Sequence, residues 1–222
     1  MLLAIDTSTR ILGLALYDGA QVRAEVIWHS HNHHTVELAP TVIELLVRTG
    51  ISIKEVQAVA VALGPGSFTG LRLGLALAKG LATSLNMPLI GIPTLDITAA
   101  AQPVSNLPLV AVLQAGRRRL AAGWYCEKDG IWHTKRSPEI ITVEKLALRI
   151  QSPTIVTGEL GVAERTRLAR KRKNVVLTSP AHSLRRPSVL AELAWKRWQE
   201  DRVDDLIQMI PIYLHYGEAI PE

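Results

Sequence analysis

The chain has 222 residues, 48% of them hydrophobic, with 25 Lys and Arg against 20 Asp and Glu for a net charge of +5. That composition excludes a disordered chain, and a lone cysteine, Cys126, excludes a disulfide-built scaffold and suits a reducing compartment. No uncharged apolar run reaches the ~18 residues of a membrane span, and Asp6 and Arg10 interrupt the apolar start where a signal peptide would need continuity, so a soluble, cytoplasmic protein of one large or two small domains is expected.

Leu2 to Ile5 has the length and apolar content of a strand, Asp6-Thr7-Ser8-Thr9-Arg10 reads as a polar turn, and Ile11 to Tyr17 as a second strand. Asp18-Gly19 predicts a hairpin into a third strand, Val22 to Trp28. Asp6 in this turn has two readings. It either hydrogen-bonds its own backbone or contacts a nucleotide, since a strand ending in Asp-Thr-Ser before a hairpin is similar to the first phosphate loop of the actin, sugar kinase and Hsp70 superfamily. Four of the seven histidines then crowd into His29-Ser30-His31-Asn32-His33-His34. No cysteine or carboxylate completes a closed metal site beside them, so a solvated loop is the reading preferred over opportunistic metal binding. A helix is predicted over 35–48, with Leu38, Val42, Leu45 and Leu46 as its apolar stripe and Pro40 as an interior kink.

Ala58 to Leu63 is a buried-type strand, and Gly64-Pro65-Gly66-Ser67-Phe68-Thr69-Gly70-Leu71-Arg72 is a glycine turn launching a helix that runs to Leu85. Ser67 or Thr69 can cap that helix. A P-loop would need Lys and Ser/Thr after Gly70, where Leu71 stands, and a nucleophile elbow would need glycine two residues after Ser67, where Thr69 stands. From the residues alone the turn is therefore structural. Gly70, Gly74 and Ala78 recur every four residues, which places them on one stripe that another backbone could approach: the 35–48 helix or a partner's helix.

Pro88 to Ile92 is a further strand, and 93–98 enters a third helix. The proline-bearing stretch Gln102 to Pro108 is the best linker, and divides the chain into a first lobe, 1–104, and a second, 105–222. The second lobe repeats the opening of the first: a strand at Leu109–Leu113, a turn at Gln114-Ala115-Gly116-Arg117, and a hairpin from Leu120 to Tyr125. Thr154 to Thr157 is a strand whose Gly158-Glu159-Leu160-Gly161 turn enters a helix. Arg165, Arg167, Arg170, Lys171, Arg172 and Lys173, with Arg185 and Arg186 beyond, form a basic run with two readings, a solvated helix end or a phosphate-backbone footprint. Pro187 to Gln199 is an amphipathic helix whose Trp195 and Trp198 are expected to be packing anchors, and Cys126 is expected to fill core space.

The stretch Gly64–Arg72 with Ala78-Lys79-Gly80-Leu81-Ala82, the opening Leu3-Ala4-Ile5-Asp6-Thr7-Ser8-Thr9, the segment His34-Thr35-Val36-Glu37-Leu38-Ala39-Pro40 and, more weakly, Pro211-Ile212-Tyr213-Leu214 together resemble the bacterial TsaB (YeaZ) family. The resemblance is strong over about the first hundred residues. It implies an α/β, actin-like (ribonuclease H-like) fold of two duplicated lobes, each with a mixed sheet flanked by helices. It also implies a non-catalytic paralogue of TsaD that scaffolds the transfer of threonylcarbamoyl to the adenosine beside the tRNA anticodon. The partners it implies are TsaD and the ATPase TsaE, with a homodimer when the chain is alone and tRNA reached through the complex. No intrinsic cofactor is implied, with ATP or ADP at most at the interface with TsaD.

Carried onto this sequence, the resemblance nominates His34, Leu38, Gly70, Leu71, Gly74 and Ala78 as partner-binding, and Asp6, Thr7, Ser8 and Arg72 as nucleotide-binding. The metal-holding histidine pair of TsaD corresponds here to Thr94 and Thr98, and the family's usual Asp-Ala-Arg turn reads Gln114-Ala115-Gly116, so neither metal ligation nor phosphate chemistry is expected. The alternative is an active actin-like ATPase or small-molecule kinase. A metalloprotease is excluded by the lack of a His-Glu-x-x-His motif.

Overall fold

The computed structural model describes residues 1–30, 34–116, 118–171 and 173–214, and for His34 and Thr35 the backbone alone. The chain divides into two compact units. The first is Met1–Ile97 together with Arg185–Ile212, and the second is Thr98–Leu184 with Tyr213 and Leu214.

In the first unit, β1 (Leu2–Asp6), β2 (Ile11–Tyr17), β3 (Val22–His29), β4 (Ala58–Gly64) and β5 (Leu89–Pro93) form a mixed sheet in the order β3-β2-β1-β4-β5. β1 lies antiparallel to β2, with Leu3 opposite Leu16, and parallel to β4, with Leu3 opposite Val59. Successive side chains point to opposite faces, so the strands supply two cores at once. Leu3, Ile5, Val59 and Val61 pack with α1 (His34–Thr49) and α2 (Phe68–Leu85). Leu2, Ala4, Ala58, Ala60 and Ala62 pack with α6 (Pro187–Gln199). The alanines on that second face let α6 settle close to the sheet, and Gly13 does the same at its edge, where a Cβ would lie 2.9 Å from Pro187 Cγ. Trp195 anchors the helix, edge-on to Tyr17 at 5.6 Å and to Trp198 at 5.1 Å.

This corrects the expected division at 104/105. The linker composition of 102–108 marks a loop, but residues 185–212 return to the first unit because one whole face of its sheet would otherwise stand in water. The returning segment also closes the sheet edge: Asp204 pairs with Leu89, its Oδ2 accepts from Gly91 N (2.8 Å), and Arg197 donates to Gly91 O (2.6 Å).

After α3 (Thr94–Ala100), the second unit builds β6 (Leu109–Gln114), β7 (Arg119–Lys128), β8 (Ile131–Thr142), β9 (Thr154–Gly158) and β10 (Val175–Leu177) in the order β8-β7-β6-β9-β10. That is the same order, strand for strand, as in the first unit. The duplication expected from the repeated strand-turn-hairpin opening is therefore present, and the fold is the α/β, actin-like arrangement of two mixed sheets. α4 (Val143–Arg149) and α5 (Val162–Ala169) cover one face, with Leu146, Ala147 and Leu168 against Val110, Val112 and Val156. Cys126 is only half-buried near the end of β7, so it does not fill the core as expected.

Candidate functional site

The end of β1 is where an actin-like nucleotide loop would begin, and it is closed by the chain's own side chains. Asp6 is buried, and its Oδ1 accepts from Ser8 N (3.0 Å) and Ser8 Oγ (2.5 Å). Its Oδ2 accepts from Nε of Arg185, a guanidinium that is buried as well. The second arm of Arg185 donates to Thr9 Oγ1 (3.0 Å) and Ile11 O (3.2 Å). Asp6 is thus engaged by a cation already on hand, and its lone pairs are directed at protein donors. Thr7 and Ser8 are fully buried and tie the loop to the glycine turn: Thr7 Oγ1 donates to Gly70 O (2.7 Å), and Ser8 O accepts from Ser67 N (2.6 Å). Arg72 lies apart from these three, exposed, with its guanidinium 3.7 Å over the ring of Phe68. Of the four nominated nucleotide residues, Asp6, Thr7 and Ser8 are joined in one buried network, and Arg72 is exposed.

The glycine stripe has a third explanation that the sequence does not offer. Cβ atoms added at Gly66 and Gly70 would overlap the Ser8 and Thr7 carbonyl oxygens, and one at Gly74 would overlap Thr7 Oγ1. What comes close at Gly66, Gly70 and Gly74 is therefore the β1–β2 turn, while Ala78 packs in the core cluster that α1 shares. Ser67 caps α2, accepting from Gly70 N (3.3 Å), while Thr69 is exposed. Leu38, Gly70, Leu71, Gly74 and Ala78, nominated as partner-binding, are all buried within the first unit. His34 opens α1 as expected, and its side chain lies outside the described residues, as do His31 and His33.

What α1 and α2 do offer is an apolar groove. Ala39, Val42, Ile43, Leu46 and Val47 of α1 face Leu77 and Leu81 of α2, with Ile51 and Ile53 at one end, around a cavity of about 600 Å³. Its α1 side continues into open apolar surface, with Val36 67% exposed, Ile43 63% and Val47 74%. The sequence carries this signal: Val36, Ile43 and Val47 stand at i, i+7 and i+11, a second helical stripe beside Leu38, Val42, Leu45 and Leu46. A helix with apolar residues on both stripes has more to bury than one core.

The remaining candidates divide between structural and exposed positions. Thr94 is buried and its Oγ1 accepts from Gly64 N (3.0 Å), and Thr98 is buried too. Among the described residues no group of three or more His, Cys, Asp and Glu is placed to hold a metal. Gln114 is exposed, its Nε2 donating to Glu159 O at 3.4 Å. The basic run separates into different roles. Arg165 donates to Thr178 O (2.9 Å) and Ser183 Oγ (3.0 Å), Arg185 serves Asp6, and Arg186 pairs with Glu25 on β3. Burial would raise the Glu25 pKa, but hydrogen bonds from Arg186 and from Ser188 N and Oγ outweigh it and hold the carboxyl below its ordinary value. Arg167, Arg170, Lys171 and Lys173 remain exposed, and Arg172 lies outside the described residues.

Residues 21–210 match the family model described as TsaD: tRNA N6-adenosine threonylcarbamoyltransferase. The tRNA threonylcarbamoyladenosine biosynthesis protein TsaB of Escherichia coli is 33% identical over 154 residues, covering 68% of this chain and 66% of that protein. The protein of the same name from Bacillus subtilis is 29% identical over 223 residues, covering 98% of this chain and 95% of its own length. Among solved structures, YeaZ from Pseudomonas aeruginosa superposes with a TM-score of 0.78 at 26% identity, covering 96% of this chain and 99% of that one.

Proposed function

The chain belongs to the TsaB (YeaZ) family within the TsaD family model, and we propose that it is the non-catalytic subunit that holds TsaD in the machinery making threonylcarbamoyladenosine in tRNA. The observation that carries this reading is the α1–α2 groove: a wide apolar face, open at Ile43 and Val47, on the two helices that close the first sheet. In this reading a helical face of TsaD covers it, TsaE joins the pair, and the same face serves a homodimer when the chain is alone. The closed Asp6 loop agrees with a subunit that performs no phosphate chemistry itself. Any ATP or ADP would bind at the junction with TsaD. Cellular placement follows the tRNA substrate, in the cytoplasm. Among the described residues no helix is long and apolar enough to cross a membrane.

The test is co-elution of the chain with TsaD in size-exclusion chromatography. Ile43→Glu with Val47→Glu should abolish co-elution, because two carboxylates would be buried without partners. The melting temperature of the chain should stay unchanged, since both side chains face solvent. A double variant that still co-elutes would overturn the assignment. Magnesium-dependent ATP turnover by the pure chain, lost with Asp6→Ala, would return the ATPase or kinase alternative.

A further inference from the structure

Charge is unevenly divided along the chain. Residues 98–184 hold 14 Lys and Arg against 6 Asp and Glu, a net +8, while the rest holds 11 against 14, a net −3. The overall +5 therefore understates how basic the second unit is. Within that unit Lys128, Lys135 and Arg136 are exposed on β7 and β8, and a larger group of exposed cations lies on the helical face. Lys145 and Arg149 lie on the outer side of α4, Arg167 on the outer side of α5, and Arg170, Lys171 and Lys173 on the turn that follows α5. The inner sides of the two helices share one core, which fixes their outer sides as one continuous surface. Arg118, at the turn into β7, borders it. Glu144 at the start of α4 is held below the ordinary carboxylate range first by hydrogen bonds from its own backbone N–H and from Thr142, then by the charges of Arg167 and Arg118. Among the described residues, Lys145, Arg167, Arg170, Lys171 and Lys173 form no salt bridge, whereas Arg149 is held by Glu139.

We propose that the α4–α5 face of the second unit binds the phosphate backbone of RNA. Several cations on one surface that are not neutralised by the protein can each displace a condensed counterion from a polyanion, which is the main source of affinity in backbone binding. Three of the exposed residues are arginines, whose planar guanidinium matches phosphate oxygens. A membrane surface fits less well. Leu148 and Val162 are the exposed large apolar residues on these two helices, too few for a face that inserts among lipids, and the rest of each apolar stripe is committed to the core. That the polyanion is RNA rests on the family reading above, whereas the phosphate-binding character of the face does not.

The probe is an unmodified tRNA transcript, titrated with the isolated full-length chain by fluorescence anisotropy at several salt concentrations. Binding should weaken steeply with salt. Changing Lys145, Arg167, Arg170 and Lys171 together to Gln should weaken it at least ~10-fold near 0.1 M salt and flatten the log–log salt slope by roughly 3. Removing four exposed cations of the first unit instead, with Arg23, Arg48, Lys54 and Arg202 changed to Gln, should leave the affinity within about twofold. All eight positions are exposed, and melting curves confirm that both variants remain folded. Equal weakening by both sets would reduce the effect to overall charge and overturn the proposal, as would wild-type affinity in the first set. Binding to phosphatidylserine vesicles but not to tRNA, lost in the first set, would assign the face to membranes and overturn it as well. TsaD is absent from this assay, so a negative result here leaves the subunit reading standing, and failure of co-elution leaves this one standing.

Discussion

Gly74→Ala isolates the contact that organises the first unit. In a free helix the change should stabilise, because alanine is better than glycine by about 1 kcal/mol. Here the new Cβ would overlap Thr7 Oγ1 and lie 3.3 Å from Thr7 Cβ and Cγ2. Thr7 is fully buried, so it cannot swing into water. Its hydroxyl must leave Gly70 O, now 2.7 Å away, or the turn must shift as a body. Overpacking costs about 1–3 kcal/mol, and a buried hydroxyl deprived of its acceptor about as much again. Set against the helix gain, the net loss is roughly 1–5 kcal/mol, which chemical denaturation resolves and which lowers Tm by about 2–4 °C per kcal/mol in a chain of this size. The same change made in a Thr7→Ala background removes both the hydroxyl and the methyl that it meets. There it should be close to neutral, so that the double-mutant cycle gives a coupling about as large as the loss itself, roughly 1–5 kcal/mol. A Gly74→Ala protein as stable as the parent, or one whose penalty is the same in both backgrounds, would refute the claim that the β1–β2 turn is what the glycine admits.

Two further outcomes test the packing of the returning segment. Arg185→Met should cost about 3–5 kcal/mol, because it strands the buried Asp6 carboxylate, and adding Asp6→Asn should restore much of that; a loss under about 1 kcal/mol in urea denaturation would show that the pair does not hold the loop. Glu25 is ionised more readily in the folded chain than its ordinary value of 4.5, so its contribution is fully present above that value and is lost as pH falls through the lower folded pKa. Melting temperature should therefore drop more steeply below about pH 5 in the parent than in Glu25→Gln, and parallel curves would remove Glu25 from the account.

The strands of both sheets are legible in the sequence because β1, β2, β4 and β6 are short apolar runs bounded by turn residues. β8 is not, since Lys135-Arg136-Ser137-Pro138-Glu139 has neither alternation nor β-branched content. It is a strand because β7 supplies its hydrogen bonds. β10 has three residues and depends on β9 in the same way. The Asp-Thr-Ser turn announces itself, but its ion-pair partner lies 179 residues away, a separation at which sequence pattern carries no signal. The same limit governs the glycine stripe: a four-residue spacing says that something comes close, and only the register of β1 against β4 makes that something Thr7.

The two sheets share one strand order, yet the loops at their strand ends have been put to different use. In the first unit, the hydrogen-bonding capacity of Asp6, Thr7 and Ser8, with Arg185, goes into joining β1, α2 and the returning segment. In the second, the corresponding turn carries Gln114, whose Nε2 donates to Glu159 O. With these loops used for cohesion, the outer faces are what the proposed reading turns to. The two that stand out differ in kind: an apolar groove on α1 and α2, where a helix can be buried, and a cationic surface on α4 and α5, where the exposed large apolar residues are Leu148 and Val162. Burial of apolar area gives durable association, whereas unpaired surface charge gives fast, salt-dependent and reversible contact. If the first face keeps a protein partner and the second receives and releases a polyanion, as proposed, substitutions on either should leave the other's binding unchanged.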